Sequence, residues 1–107
     1  MSQRNASPRT VSSYRDTVRL LLRFASAHTG RTPAKLTLAD LDAQLVLGFL
    51  NHLESERGNS SRTRNARLAA VRSLVKHMAI REPVFMARAE SILAIPMKRF
   101  DRPALTF

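Results

Sequence analysis

Cysteine is absent from this sequence, tyrosine occurs once, and no long apolar run is present. Without cysteine there is neither a disulfide framework nor a thiolate metal site, and the composition fits a reducing cytoplasm. No run approaches the roughly 20 apolar residues that a membrane-spanning helix needs, and residues 1–5 lead into no apolar segment of a signal peptide. We therefore expect a cytoplasmic chain whose 107 residues form one domain.

Acidic residues are also scarce, because eight Asp and Glu accompany eighteen Lys and Arg, for a net charge of +10. Residues 1–29 carry five Arg and one Asp, residues 58–82 carry six basic residues and one Glu, and residues 30–57 are near neutral. Arg far outnumbers Lys, which favours phosphate partners. Two cationic segments separated by a neutral one predict a basic surface for a polyanion. A soluble basic domain without such a partner is the plain alternative.

Apolar residues recur at helical spacing in four segments, and no segment alternates as a strand would. Cap residues, glycine and proline set the expected bounds. The predicted helices run from Ser7-Pro8 to Thr29-Gly30, from Asp42 to Gly58-Asn59, from Ser60 or Ser61 to about Ile80, and from Pro83 to Ile95-Pro96. Their predicted apolar residues are Val11, Tyr14, Val18, Leu21, Leu22 and Ala25; Leu45, Val46, Phe49, Leu50 and Leu53; Leu68, Val71, Leu74, Val75 and Met78; and Val84, Phe85, Ala87, Ala89, Ile92 and Leu93. Thr37 and Asp40 have the spacing of a capping box for a short turn.

No constellation of residues indicates catalysis. The three His stand singly near the ends of different helices, and Asp40 and Asp42 are too close in sequence to face each other on a helix. HExxH, a glycine-rich phosphate loop and a nucleophile elbow are all missing from the sequence. Tyr14 lies on the first apolar stripe, where core packing is its expected role. We expect no cofactor and no metal.

The start of the third helix concentrates side chains that suit DNA. Residues 58–67 read GNSSRTRNAR, and the positive end of a helix attracts phosphate through its free backbone N–H groups. In a major groove, Arg can fork onto guanine and Asn onto adenine. An ordinary capped helix with a solvated charged face would have the same composition. The first helix starts similarly, with SPRTVSS over residues 7–13, so the two starts together favour one duplex-binding surface.

Taken in order, these segments resemble the tyrosine recombinase, or phage integrase, family. The matching motifs are Ser7-x-x-Thr10-Val11-x-x-Tyr14 with Leu21 and Phe24; Leu38-x-x-Leu41 with Phe49-Leu50-x-x-Leu53; Gly58-x-Ser60-x-x-Thr63 with Leu68-x-x-Val71-Arg72-x-Leu74; and Pro96-Met97-Lys98-Arg99-Phe100-Asp101. The resemblance implies an all-α, SAM-like core-binding domain of four to five helices over residues 1–96. It implies that residues 97–107 are a linker toward a catalytic domain that this sequence does not contain.

The resemblance also implies a way of binding DNA. In this family the core-binding and catalytic domains form a C-shaped clamp around a half-site, and the first and third helices of the former cross at the major groove. The residues implied to bind DNA are Arg4, Arg9, Thr10 and Ser13; Ser61, Arg62, Thr63, Asn65 and Arg72; and Lys98, Arg99 and Arg102.

The expected function is that of the DNA-binding module of a site-specific recombinase. Its expected partners are double-stranded DNA and further recombinase protomers, and we expect it to be monomeric alone and nucleoid-associated when bound. The family's catalytic Arg, Lys, His and Tyr belong to the later domain, so the chain itself is not expected to cut DNA. Two other classes stay open. A module for an acidic protein partner would need an exposed apolar patch beside the charge, and RNA binding would need a stacking platform that is not evident.

Overall fold

A computed structural model describes residues 8–56, 58 and 60–98, with side chains from Ser13 onward. All regular structure within those ranges is helical, which confirms the all-α prediction. The α-helices are α1 (Pro8–Thr29), α2 (Ala43–Glu56), α3 (Ser61–Arg81) and α4 (Met86–Leu93), and short 3₁₀ turns cover Pro33–Lys35, Leu38–Asp40 and Pro83–Phe85. Along the described ranges, no helix combines the length and apolar character that crossing a bilayer requires.

Side-chain caps begin α2 and α3 where the sequence predicts them. Asp42 Oδ1 accepts a hydrogen bond from the Leu45 backbone N–H at 2.8 Å. Ser60 Oγ accepts one from the Thr63 N–H at 3.2 Å. Each bond satisfies a donor that the first turn of a helix otherwise leaves without a partner. Gly58, with φ of +67°, turns the chain between the two helices.

The connection from α1 to α2 is also set by local chemistry. Gly30 follows α1 with φ of +77°, a conformation that favours glycine after a helix. The predicted capping box is present, since Asp40 Oδ2 accepts from the Thr37 N–H at 2.9 Å. The same carboxylate lies 3.6 Å from Arg31 Nη1, so it also forms an ion pair with the residue that follows Gly30.

The core lies where α2 and α3 meet α1 and α4. The predicted face of α2 is confirmed as a whole, because each of its five residues is at most 5% exposed. The other buried apolar residues are Leu21 and Ala25 from α1, Leu68, Val71, Val75 and Ala79 from α3, and Phe85, Ala89, Ile92 and Ile95 from the last part of the chain described. Burial of one large apolar side chain stabilises a fold by about 1.5–3 kcal/mol, so this cluster holds the four helices together.

Part of the prediction for α1 is wrong. Leu22, predicted on the apolar stripe, is 43% exposed, whereas Leu20 and Phe24, which the predicted stripe omits, pack against the core. The reason is that α1 contacts both α2 and α3, so it buries a wider arc than one stripe. The Phe24 ring, for example, lies 5.9 Å from that of Phe49 on α2. Val84, counted among the apolar residues of the fourth helix, lies in a 3₁₀ turn and is 93% exposed.

Candidate nucleic-acid interface

The side chain of Arg67 joins the start of α3 to the start of α1. Its Nη1 donates to Thr17 Oγ1 at 2.9 Å and to the Ser13 backbone oxygen at 3.4 Å. Thr17 is fully buried, and its hydroxyl donates to the same Ser13 oxygen at 2.9 Å. These contacts place the early turns of the two helices side by side. The two polar helix starts that the sequence singles out are therefore neighbours.

The first turn of α3 carries three of the predicted contacts. Arg62 is exposed, and Ser61 and Thr63 are half-buried. None of the residues in this turn is acidic, so the turn supplies no carboxylate of its own to the positive end of the helix dipole. The turn thus presents hydroxyl and guanidinium groups at a helix end that favours an anion.

The outer side of α1 adds a row of cations. Arg15, Arg19 and Arg23 are spaced four residues apart, and all three are exposed. Arg19 Nη1 lies 3.6 Å from Asp16 Oδ1, an exposed pair that leaves the row positive overall. We did not place these residues at the site from the sequence, although a spacing of four on a helix is a recognisable signal.

Two predicted contacts on α3 are bonded inside the domain. Asn65 Nδ2 donates to the Lys98 backbone oxygen at 2.8 Å, and Asn65 Oδ1 accepts from the Lys98 N–H at 2.8 Å. Arg72 Nη2 donates to the Ile95 backbone oxygen at 2.6 Å. The structure therefore directs both side chains to the segment after α4. A DNA contact by either residue stays a prediction.

Glu54 forms ion pairs with two cations, the exposed Lys98 and the buried Arg64. Lys98 Nζ lies 2.8 and 3.1 Å from the two oxygens of Glu54. Arg64 Nε lies 3.5 Å from Glu54 Oε1, and Arg64 is only 6% exposed. Sequence reasoning missed this cluster. The signal was that Arg64 stands four residues before Leu68 on the apolar face of α3.

Five predicted contacts have no described side chain. Arg4, Arg99 and Arg102 lie outside the described residues. Arg9 and Thr10 belong to the first turn of α1, where only the backbone is described. The structure therefore neither adds these five to the surface nor removes them from it.

The histidines are less isolated than the sequence suggests. His28 and His52 both lie beside Phe24, with ring centroids 5.7 and 5.4 Å from it. His77 Nε2 accepts a hydrogen bond from Arg81 Nε at 3.1 Å. Within the described ranges, no group of three or more His, Cys, Asp or Glu side chains could hold a metal ion.

Comparison with known proteins finds similarity along most of the chain. The model of a family described as "Phage integrase, N-terminal SAM-like domain" matches residues 1–82. "Putative integrase/recombinase y4rD" of Sinorhizobium fredii is 48% identical over 97 residues, which cover 91% of this chain and 34% of the relative. "Putative integrase/recombinase y4rC" of the same organism is 45% identical over 107 residues, which cover 100% of this chain and 32% of the relative. The chain thus spans about a third of the length of these curated relatives. No solved structure matches the chain significantly.

Proposed function

The chain belongs to the family of phage integrase N-terminal, SAM-like domains, and we propose that it is the DNA-binding module of a site-specific tyrosine recombinase. The domain holds a half-site of double-stranded DNA through the major groove. The catalytic region of a longer protein then cuts and rejoins the strands. Further recombinase protomers on the same DNA are its other partners, and the chain itself supplies no catalytic group.

The observation that carries the proposal is the pairing of the two helix starts through Arg67. Its bonds to Thr17 and to the Ser13 backbone keep α1 and α3 side by side. A major groove is about 12 Å wide and admits a single helix. One helix start can therefore enter the groove while the other contacts the adjacent backbone.

The proposed contacts divide into phosphate binding and base recognition. Phosphate contacts fix the register, and a few side chains distinguish the bases. On the described surface the proposed contacts are Ser13, Ser61, Arg62 and Thr63, with the Arg15–Arg19–Arg23 row as a further phosphate-binding group. The proposal extends to Arg4, Arg9, Thr10, Arg99 and Arg102. It leaves out Asn65, Arg72 and Lys98, because the side chain of each forms at least one hydrogen bond within the domain.

Fluorescence anisotropy with short random duplexes across a salt titration tests DNA binding. If roughly six phosphates are neutralised, the logarithm of affinity should fall with the logarithm of salt concentration at a slope of about −5. Binding with such a slope supports the proposal and justifies a search for the specific site. No binding at low salt would refute the idea that α1 and α3 form one DNA surface.

Arg62→Ala tests the first turn of α3, and Lys35→Ala is its matched control. Both residues are exposed cations, but Lys35 follows the far end of α1, a helix of 22 residues and thus about 33 Å long. If Arg62 recognises a base, its loss weakens cognate binding by about 1–3 kcal/mol and relaxes sequence preference. If it binds phosphate only, all sequences weaken alike and the salt slope falls by about 1. Equal affinities for Arg62→Ala and Lys35→Ala would remove Arg62 from the site.

One observation favours the alternative of a protein partner. Ile80 and Val84 are 79% and 93% exposed, and they flank the charged residues Arg81 and Glu82 in the sequence. Ile80 is at the C-terminal end of α3, whose 21 residues span about 32 Å from the polar helix start, and Val84 lies in the turn that follows. Ile80→Ser should therefore leave DNA affinity unchanged. A loss of DNA binding in this variant would contradict the separation of the two surfaces.

A further inference from the structure

The segment that follows α4 folds back across α3, where side chains hold it at several points. Arg72 Nη2 bonds the Ile95 oxygen at 2.6 Å. The Asn65 amide bonds both backbone polar groups of Lys98 at 2.8 Å, and the Lys98 ammonium binds Glu54 at 2.8 Å. We call this set of contacts the exit clasp. We infer that Asn65 is a positioning residue, which fixes where the chain beyond Lys98 leaves the domain.

The amide of Asn65 suits this role better than an ion pair would. It donates through Nδ2 and accepts through Oδ1, so it can bond the N–H and the C=O of one residue at once. Two bonds in opposite directions fix both the place and the orientation of the Lys98 backbone. The ion pair with Glu54 involves a flexible side chain and restrains the backbone far less. Asn65 and Lys98 are 33 positions apart, so the contact is tertiary.

The exit clasp lies close to the start of α3, where we propose that DNA binds. Asn65 lies one helical turn after the group at residues 61–63, a rise of about 6 Å along α3. Lys98 therefore lies beside the helix end that we propose to meet DNA. If that proposal holds, the clasp places the start of the following region next to the duplex. This consequence rests on the proposed function, whereas the clasp itself does not.

The competing explanation is that Asn65 recognises a DNA base. The two roles differ in whether the bonds to Lys98 persist when DNA binds. To bind adenine through the same edge of its amide, Asn65 would have to release both of its bonds to Lys98. As a positioning residue it keeps both bonds, and DNA affinity does not depend on it directly.

Amide hydrogen exchange of Lys98, followed by NMR in this chain, tests the clasp without DNA. One hydrogen bond should slow the exchange of this amide by about tenfold. Asn65→Ala should abolish the protection while the thermal midpoint changes little. Ser73→Ala, an exposed polar residue on the same helix, should leave the protection intact. Asn65→Asp keeps the accepting oxygen and should restore protection. An unprotected Lys98 amide in the wild type, or protection that survives in Asn65→Ala, overturns the inference.

A second experiment measures the DNA affinity of the same variants by fluorescence anisotropy. Asn65→Ala should bind duplex DNA with an affinity within about twofold of the wild type. Loss of a base contact would instead weaken the affinity about tenfold or more. If it weakens binding as much as Arg62→Ala while Lys98 stays protected, Asn65 is a DNA contact and the inference fails. If the wild type binds no DNA, the proposed function fails, and the exchange result still decides the clasp.

Discussion

Neutralising Glu54 tests how far the fold depends on the carboxylate beside its buried cation. The side chain of Arg64 is 7% exposed, that of Glu54 is 22% exposed, and their atoms approach to 3.5 Å. Nε and Nη1 of Arg64 have no hydrogen-bond partner among the described residues. Glu54→Gln keeps the shape and an accepting oxygen but removes the charge. Arg64 then remains buried without a counterion.

The expected cost follows from the geometry. Breaking a fully buried ion pair costs about 3–5 kcal/mol. The cost here should be smaller, because Glu54 is partly exposed and 3.5 Å exceeds the length of a charge-assisted hydrogen bond. We expect a loss of about 1–2 kcal/mol, which lowers the thermal midpoint of a domain this size by about 5–10 °C.

A double-mutant cycle separates the pair from other effects of the substitution. Arg64→Met replaces the guanidinium with an apolar group of similar length, and such replacements are often nearly neutral. The double variant should therefore resemble Arg64→Met alone, with a coupling energy of about 1–2 kcal/mol. Glu90→Gln, an exposed carboxylate on α4, is the control and should stay within about 0.5 kcal/mol of the wild type. Thermal and urea denaturation measure all four. A wild-type midpoint for Glu54→Gln, or strictly additive effects, would refute this reasoning.

Two further pairs of variants test the fold by urea denaturation. Gly48→Ala should stabilise α2 by up to about 1 kcal/mol, since its Cβ would meet Phe24 at an ordinary 3.4 Å. Gly58→Ala, at φ of +67°, should destabilise by about 1 kcal/mol, and shifts of the same sign in both variants would contradict the backbone argument. Phe49→Ala should cost about 3–5 kcal/mol because this ring is 0% exposed. Leu47→Ala, 39% exposed, should cost less than about 1 kcal/mol, and comparable losses for both would show that the core is placed wrongly.

The sequence predicts most of the helix bounds because caps and glycines act locally. Asp42, Ser60 and Gly30 each mark an end that the structure confirms. The burial pattern of α1 could not be predicted in the same way. A single periodic stripe assumes one neighbour, and Leu20 and Phe24 are buried because α1 has two.

In the candidate site, too, local features could be predicted from the sequence and tertiary contacts could not. The polar starts of α1 and α3 can be recognised from composition, but their adjacency is a tertiary contact, in which Arg67 bonds residues 50 and 54 positions away. Asn65 and Arg72 look like exposed polar residues in a helical pattern. Their partners, Lys98 and Ile95, lie 33 and 23 positions along the chain, beyond any local pattern.

The buried hydroxyl of Thr17 links a core position to the surface that we propose to meet DNA. Valine has nearly the same shape and would fill the same space, but it would leave Arg67 without the acceptor that lies at 2.9 Å. Arg67 would then keep only its longer bond to α1, at 3.4 Å from the Ser13 backbone oxygen, in a domain that remains folded. A screen that measures folding alone would therefore score Thr17→Val as tolerated and would miss the lost bond to Arg67.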